Sequence, residues 1–324
     1  MNLPNDDLEL YAEQALFAAL HTRPDHVPGI AKLLRPDDFA DATHREHYRH
    51  LTNQPTSGTA PHQAQSLSAE RCPNPDHAPA YARMVLAASI RRDLARHTTR
   101  LATTARVEAA GNLGTTNTLA ATHELTKALQ RATHRWGTTG PRPNHLPAPT
   151  TPAVSPPTQQ DDEAQLLASL TSHPQHIPAI TRRLHPEDFT NPRHQLLYRS
   201  LATLHHRGEP IDPLTLAWEA RHHGAPAHHL TIDHITTLTT DDPHQRADRL
   251  LEAAFRRTAS DAGQIINTLT ADPTLTTGDL LASGGLALQP VMHLYRRWRA
   301  PHHTTEQLHT GPTALARTPR GQAA

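Results

Sequence analysis

The chain has 324 residues, of which 31 are basic and 31 acidic, and only 4% are aromatic. A formal charge of zero supplies no overall field that would attract nucleic acid, so the composition argues against an autonomous, high-affinity DNA-binding protein. It does not exclude local basic patches on the surface. A single cysteine excludes an intramolecular disulfide, and no run approaches the roughly 18 apolar residues of a membrane span.

Two features of the composition concern the origin and location of the protein. The N-terminus carries Asp6, Asp7 and Glu9, whereas a signal peptide would have a basic region and an apolar core there. We therefore expect a cytoplasmic protein. Abundant Arg, Ala, Pro, Thr and His indicate GC-rich codons and favour a high-GC bacterium as the source.

The most informative feature of the sequence is an internal repeat. Residues 16–51 align with residues 166–201 at a constant offset of 150, and 15 of these 36 positions are identical. A second block follows at an offset of 165, where Ile90-Arg91-Arg92 matches Phe255-Arg256-Arg257. Both copies end in Arg-Trp, at 135–136 and 297–298. Identities in fixed register indicate a duplication, with about 15 residues missing from the middle of copy 1.

Copy 1 is predicted to consist of a small helical head, a polar loop and a helical hairpin. Residues 52–79 are rich in Pro, Ser, Thr and Gln, which is typical of a loop. A long helix is expected from about 80 to 110, then a glycine turn at 111–114 and a returning helix that ends near Trp136. A Pro-rich linker is expected over 137–160, because proline at that density disfavours helix.

Copy 2 repeats this plan. Asn191-Pro192 and Asp212-Pro213 each fit an N-cap residue followed by proline at the first helical position. The helices that they start are expected to end at Gly208 and near Gly224, and a long helix follows from about 244 to 269. Residues 283–285 are expected to form a second glycine turn. No stretch shows sustained period-2 alternation, so the prediction is an all-α protein.

Short motifs recur in the same order in both copies. The first runs from a glutamate to a leucine, at 13–20 and 163–170, and the second is Pro-x-Asp-Phe, at 36–39 and 186–189. The third is His-x-x-x-Tyr, at 44–48 and 194–198. Gly-x-Pro-Ile-Asp-x-x-Thr-Leu occurs only at 208–216, and Tyr-Ala-Arg-x-Val followed by Arg-Arg is clearest at 81–92. This series resembles the N-terminal domain of DnaB-type replicative DNA helicases, over roughly residues 6–136 and 161–298.

The resemblance implies two all-α domains, each a helical head plus a helical hairpin. The expected boundaries are 1–136 for copy 1 with its shortened head, 137–160 for the linker, 161–298 for copy 2 and 299–324 for a disordered tail. The second half of these helicases is a RecA-like ATPase with a P-loop lysine. Neither Lys32 nor Lys127 follows a glycine, so we expect neither an ATPase nor a bound cofactor. In the family the hairpins of two subunits pair into a collar, on which primase and loaders dock.

Four positions recur in both heads and are predicted to be structural: Asp38, Phe39, His44 and Tyr48, with Asp188, Phe189, His194 and Tyr198. The aromatic residues are expected in the core rather than at an interface. The aspartates are expected to cap a turn, because no second acid or nucleophile accompanies them in a fixed pattern. The histidines, and likewise the repeated His26 and His176, are expected to bond to the backbone or to these aspartates. No metal site is expected, because many of the 27 histidines are adjacent pairs that diverge on a helix.

Arginines on the hairpins are candidate contacts for a partner or for DNA: Arg91, Arg92, Arg96 and Arg100 in copy 1, and Arg249, Arg256, Arg257, Arg296 and Arg297 in copy 2. The 92, 96, 100 spacing produces a basic stripe that could bind phosphates or an acidic partner, and the alternative is a solvated helix face. Residues 296–299 combine charge with Trp298, as single-strand-binding proteins do. The tryptophan recurs in copy 1, which favours a structural role.

Three functions remain open at this point. The first is a non-catalytic module that binds the replicative helicase or primase and modulates primosome assembly, with its hairpins paired within one chain or between two chains. The second is an accessory protein that binds single-stranded DNA weakly through the arginine stripes and the tail. The third is a relic of a helicase gene, which the shortened head of copy 1 suggests. None of the three involves a membrane.

Overall fold

The computed structural model describes residues 5–53, 74–111, 114–137, 140–141, 145–149, 157–224 and 242–299. Within these ranges the chain forms α-helices and short 3-10 turns and contains no strand, so the predicted all-α fold is confirmed. The helices of copy 1 are α1 (Asn5–Thr22), α2 (Val27–Ile30), α3 (Ala42–Asn53), α4 (Ala78–Ala110) and α5 (Thr116–Trp136). Those of copy 2 are α6 (Pro157–Ser172), α7 (Ile177–Thr181), α8 (Pro192–Arg207), α9 (Pro213–His222), α10 (Pro243–Ala271) and α11 (Thr277–Arg299).

The predicted helix ends of copy 2 are confirmed. Asn191 Oδ1 accepts a hydrogen bond from the backbone N–H of Arg193 (3.0 Å) at the start of α8. Asp212 Oδ1 accepts from the N–H groups of Leu214 (2.8 Å) and Thr215 (2.9 Å) at the start of α9. Gly208 follows α8 with a φ of 69°, the left-handed conformation that only glycine adopts at little cost.

Two elements differ from the prediction. Helix α6 begins at Pro157, inside the expected linker. Proline is compatible with this position because the first turn of a helix does not need its N–H group. The predicted turn at 283–285 is wrong, since these residues lie inside α11, and the chain turns between α10 and α11 at 272–276 instead. Gly284 has a packing role there: a Cβ at this position would lie only 3.0 Å from Leu129 Cδ2 on α5. Most of the predicted loop, much of the linker and the predicted tail beyond Arg299 lie outside the described residues.

The described residues form two compact units. One comprises those of Met1–Pro156 and Glu252–Leu294, and the other those of Pro157–Leu251 and Tyr295–Ala324. The first unit therefore contains the head of copy 1 and most of both hairpins. The second contains the head of copy 2 with the outer ends of α10 and α11. These units do not follow the boundaries of the sequence repeat.

Each head has an aromatic centre built from repeated residues. Phe39 packs on Tyr48 with ring centroids 4.8 Å apart, and Phe189 packs on Tyr198 at the same distance. All four rings are buried. Tyr198 donates its hydroxyl to the carbonyl of Leu184 (3.0 Å). Burial, helped by the charge of Asp38, raises the pKa of Tyr48 to about 12, so this ring remains neutral in its apolar site.

No helix in the described part of the chain is long and apolar enough to cross a lipid bilayer.

Candidate interaction surface

An aspartate–arginine clamp joins the head of copy 1 to its hairpin. Asp38 Oδ2 accepts the backbone N–H of Arg35 (2.6 Å) and thereby caps the turn Pro36–Asp38. Both carboxylate oxygens also accept from Arg135 at the end of α5, at 2.9 and 2.5 Å. The aspartate thus combines the predicted turn role with an ion pair that the sequence analysis did not foresee.

The same clamp recurs in copy 2. Asp188 Oδ2 accepts the backbone N–H of His185 (2.7 Å), and both carboxylate oxygens accept from Arg297 at 2.8 Å. The side chain of Arg297 is only 14% exposed. This arginine was proposed above as a partner or DNA contact, but its guanidinium is occupied inside the second unit. The recurrence of Arg-Trp at the end of each copy was the available signal for a shared structural role.

A second buried pair was missed in each head. His44 Nδ1 lies 2.7 Å from Glu13 Oε2, and His194 Nδ1 lies 2.8 Å from Glu163 Oε2. The expectation that His44 and His194 bond to the aspartates or the backbone is therefore wrong, because both imidazoles contact a glutamate. Both glutamates are buried at the same offset of 150 and begin the first motif, so the repeat itself could have identified them.

The glutamates also hold the backbone of the heads. Glu13 Oε1 accepts from the N–H of Ala40 (2.6 Å), and Glu163 Oε1 accepts from the N–H of Thr190 at the same distance. Burial alone would raise the pKa of Glu163, but the hydrogen bonds from His194, Thr190 and Asn191 outweigh it and lower the pKa. The glutamate is therefore ionised at neutral pH.

The two hairpins pack against each other within the first unit, and their central contacts are reciprocal. Thr98 on α4 donates its hydroxyl to Asn267 Oδ1 on α10 (3.4 Å). A Cβ at Gly263 would lie 3.3 Å from the Cβ of Ala102. At the offset of 165, Gly263 is the counterpart of Thr98, and Asn267 is the counterpart of Ala102. Equivalent residues therefore make equivalent contacts, which is the pattern of a two-fold interface.

Equivalent arginines reach towards the opposite hairpin tips. Arg91 donates to the carbonyls of Thr270 (3.1 Å), Asp272 (2.9 Å) and Leu275. These carbonyls lie at and just beyond the end of α10, where the last carbonyls of the helix lack helical partners. Its counterpart Arg256 is 7% exposed, and the negative charges of Glu252 and Glu108 favour its charged form. Burial lowers the pKa of both arginines. Neither side chain is available as a surface contact for DNA.

Glu108 shapes the tip of the first hairpin. Its carboxylate accepts from the backbone N–H groups of Asn117 (2.9 Å) and Thr118 (3.0 Å), the orphan donors at the start of α5. Burial would raise the pKa of Glu108, but these bonds and that of the Thr118 hydroxyl lower it. A negative charge at the tip thus balances the positive N-terminus of α5.

The remaining candidate arginines differ in accessibility. Arg92 donates to Glu9 and to the carbonyl of Asp38, both at 2.5 Å, and Arg249 pairs with Asp162 at 3.5 Å. Arg257 is partly buried. Arg96, Arg100 and Arg296 are exposed. An open groove of about 560 Å³ runs along α4 and is lined by Ala95, Arg96, Thr99, Arg100, Thr103 and Thr104.

Helix α9 presents an exposed apolar face that the sequence analysis did not identify. Leu214 is 69% exposed and Trp218 is 61% exposed, one turn apart, with the guanidinium of Arg221 5.8 Å from the indole centroid. Leu216 and Ala220 on the opposite side are buried. Two apolar stripes on opposite sides of one helix cannot both face the same core, and that was the available signal.

Among the residues that the structure describes, no group of three or more His, Cys, Asp or Glu side chains could hold a metal ion.

A comparison with known protein families matches two ranges of the chain. Residues 5–70 and 155–249 match the DnaB-like helicase N terminal domain, which covers about half of the chain and reaches into both copies. The matched family is the N-terminal domain of these helicases and not their ATPase domain. No match was found among curated proteins or among solved structures.

Proposed function

The chain carries two tandem copies of the DnaB-like helicase N-terminal domain, and we propose that it is a non-catalytic interaction module of DNA replication. It binds the replicative helicase or primase and thereby modulates primosome assembly. For the two domains we propose the boundaries 1–136 and 161–298, with 137–160 as the linker and 299–324 as the tail.

The pairing of the hairpins carries this proposal. In the helicases that the chain resembles, two subunits each supply one hairpin to the collar. Here the greater part of both hairpins lies in one compact unit, where they make reciprocal contacts, such as Thr98 with Asn267 and Ala102 with Gly263. A chain with both halves needs no hairpin from another subunit, so it is a monomer that offers a collar-like pair to its partner.

The face of α9 is the docking anchor that we favour. Aromatic and arginine side chains dominate the energetics of protein interfaces, and Trp218, Leu214 and Arg221 lie together on this face. The opposite side of the helix is buried through Leu216 and Ala220, and Arg207 pairs with the buried Glu219 at 3.3 Å. The 208–216 motif, which includes Leu214 of this face, occurs in copy 2 and not in copy 1, so we expect one partner molecule per chain.

The test mixes the purified full chain with the replicative helicase and with the primase of its host, and measures mass by size-exclusion light scattering. The chain alone is expected to be a monomer and to form a stoichiometric complex with one of the two proteins. In the L214S/W218S variant, affinity is expected to fall by at least about tenfold, since truncating central anchors costs roughly 2 kcal/mol or more.

A matched control replaces two exposed apolar residues of the first hairpin, Met84 and Val107, with serine. M84S/V107S is expected to bind as the unmodified chain does, and both variants are expected to melt like it. Binding to neither protein would refute the proposed function. Equal losses in the two variants would refute only the docking anchor.

A further inference from the structure

We propose that the outward face of α4 binds the phosphate backbone of nucleic acid through Arg96, Arg100 and Arg106. This face belongs to copy 1 and lies on the opposite side of the hairpin from its buried positions, such as Leu94, Thr98 and Leu101. The site is independent of the protein partner proposed above.

The three arginines are accessible and lie on the solvent-facing half of α4, within about 120° of one another around the helix axis. Arg96 is 77% exposed and pairs only weakly with Asp93 at 3.0 Å, since surface ion pairs of this kind contribute little. Arg100 and Arg106 are exposed and form no ion pair with any residue that the structure describes. A rise of about 1.5 Å per residue places Arg96 about 6 Å from Arg100 along the helix axis, and Arg106 about 9 Å further on.

Copy 2 shows that the hairpin does not need these arginines. At the offset of 165, Asp261, Ile265 and Ala271 stand in place of Arg96, Arg100 and Arg106. Helix α10 nevertheless forms and packs against α4 with Asp261, Ile265 and Ala271 at these positions. Asp261 and Ile265 are partly buried, whereas Arg96, Arg100 and Arg106 are exposed, so the arginines of copy 1 are not needed to form or pair the helix and are accessible to a ligand.

The chemistry of the face favours phosphate over a protein partner. The groove along it is lined by arginine, threonine and a single alanine, Ala95, whereas specific protein interfaces need an apolar centre. Arginine and hydroxyl groups such as those of Thr99 and Thr103 are the donors that contact phosphate oxygens. None of the lining residues is aromatic, so the face provides no aromatic platform for bases, and we expect binding to be independent of sequence.

The test measures fluorescence anisotropy of the full chain with a labelled oligothymidine of about 20 nucleotides and with a duplex of the same length, at several salt concentrations. R96Q/R100Q/R106Q is expected to weaken binding at least tenfold at low salt. Because each neutralised phosphate contributes about 0.7 to the salt slope for a single strand, the slope is expected to fall by about 2. Comparison of the two probes decides whether single strands or duplexes are preferred.

A matched control removes the same charge elsewhere. R182Q/R193Q/R199Q replaces three exposed arginines in the head of copy 2 and is expected to bind DNA as the unmodified chain does. Equal loss in this control would show a bulk charge effect and overturn the proposal, as would unchanged binding in the α4 variant. Equally effective competition by polyglutamate would indicate an acidic protein surface instead. A chain that fails to bind helicase or primase leaves this experiment unaffected.

Discussion

The two copies of the domain differ in what they keep and in what they change. Both heads keep a buried Glu–His pair and an Asp–Arg clamp at equivalent positions, with Glu13 and Asp38 matched by Glu163 and Asp188. Other equivalent positions of the hairpins have diverged, with the exposed Arg96 in copy 1 and the partly buried Asp261 in copy 2. The exposed Trp218 follows a motif of copy 2 alone. Buried ionic contacts are retained because losing one partner leaves an unpaired charge, whereas surface positions are free to acquire separate tasks.

The clamps supply the largest expected effect. Asp38→Ala leaves Arg135 without its carboxylate, and breaking a buried ion pair costs about 3–5 kcal/mol. We expect that loss in the free energy of unfolding measured with urea, with hydrogen exchange accelerated first in the head of copy 1. Asp188→Ala is expected to produce the corresponding change in the head of copy 2.

The exposed neighbour offers a control, because Asp37→Ala should change stability by less than about 0.5 kcal/mol. If Asp38→Ala were as mild as Asp37→Ala, the clamp would not be what holds head and hairpin together.

We expect acid to destabilise the head of copy 1 more than the head of copy 2. Burial lowers the pKa of His47 from 6.5 to about 4, with the charges of His21, His44 and His50 adding to the effect. The unfolded chain therefore takes up a proton at this site before the folded chain does. The stability contribution is complete above pH 6.5 and is lost as the pH falls towards 4, by about 2–3 kcal/mol.

Leu197 occupies the equivalent position in copy 2. His47→Leu should therefore remove this part of the acid sensitivity of the copy 1 head. Urea titrations at pH 7 and pH 4.5 measure the difference. Equal pH dependence of the variant and the unmodified chain would show that His47 does not cause it.

A smaller effect is expected at the hairpin interface. Arg91→Gln removes charged hydrogen bonds to the carbonyls at the end of α10, each of which contributes about 1.5–3 kcal/mol at most, and water can replace part of the loss at this half-buried site. We expect a loss of about 1.5–2 kcal/mol, with faster hydrogen exchange in the last turn of α10. Arg96→Gln, five residues further along α4 on the outward face, should leave both measurements unchanged.

The buried pairs show where prediction from the sequence reached its limit. The helix caps at Asn191 and Asp212 were predictable, because a cap involves residues two or three positions apart. The Asp38–Arg135 pair joins residues 97 positions apart, and no local pattern links them. The repeat marked both residues as shared by the copies without showing that they meet.

The sequence by itself determined the duplication, the all-α class, the aromatic centres of the heads and the family, since each depends on local spacing or on identities in register. Tertiary structure decided that His44 and His194 contact glutamates, that the hairpins pair within one chain, and which arginines are exposed. The physical reason is that all the candidate arginines lie on long helices with similar spacing. Whether a helix face is buried depends on the helices packed against it, and periodicity along one helix contains no information about them.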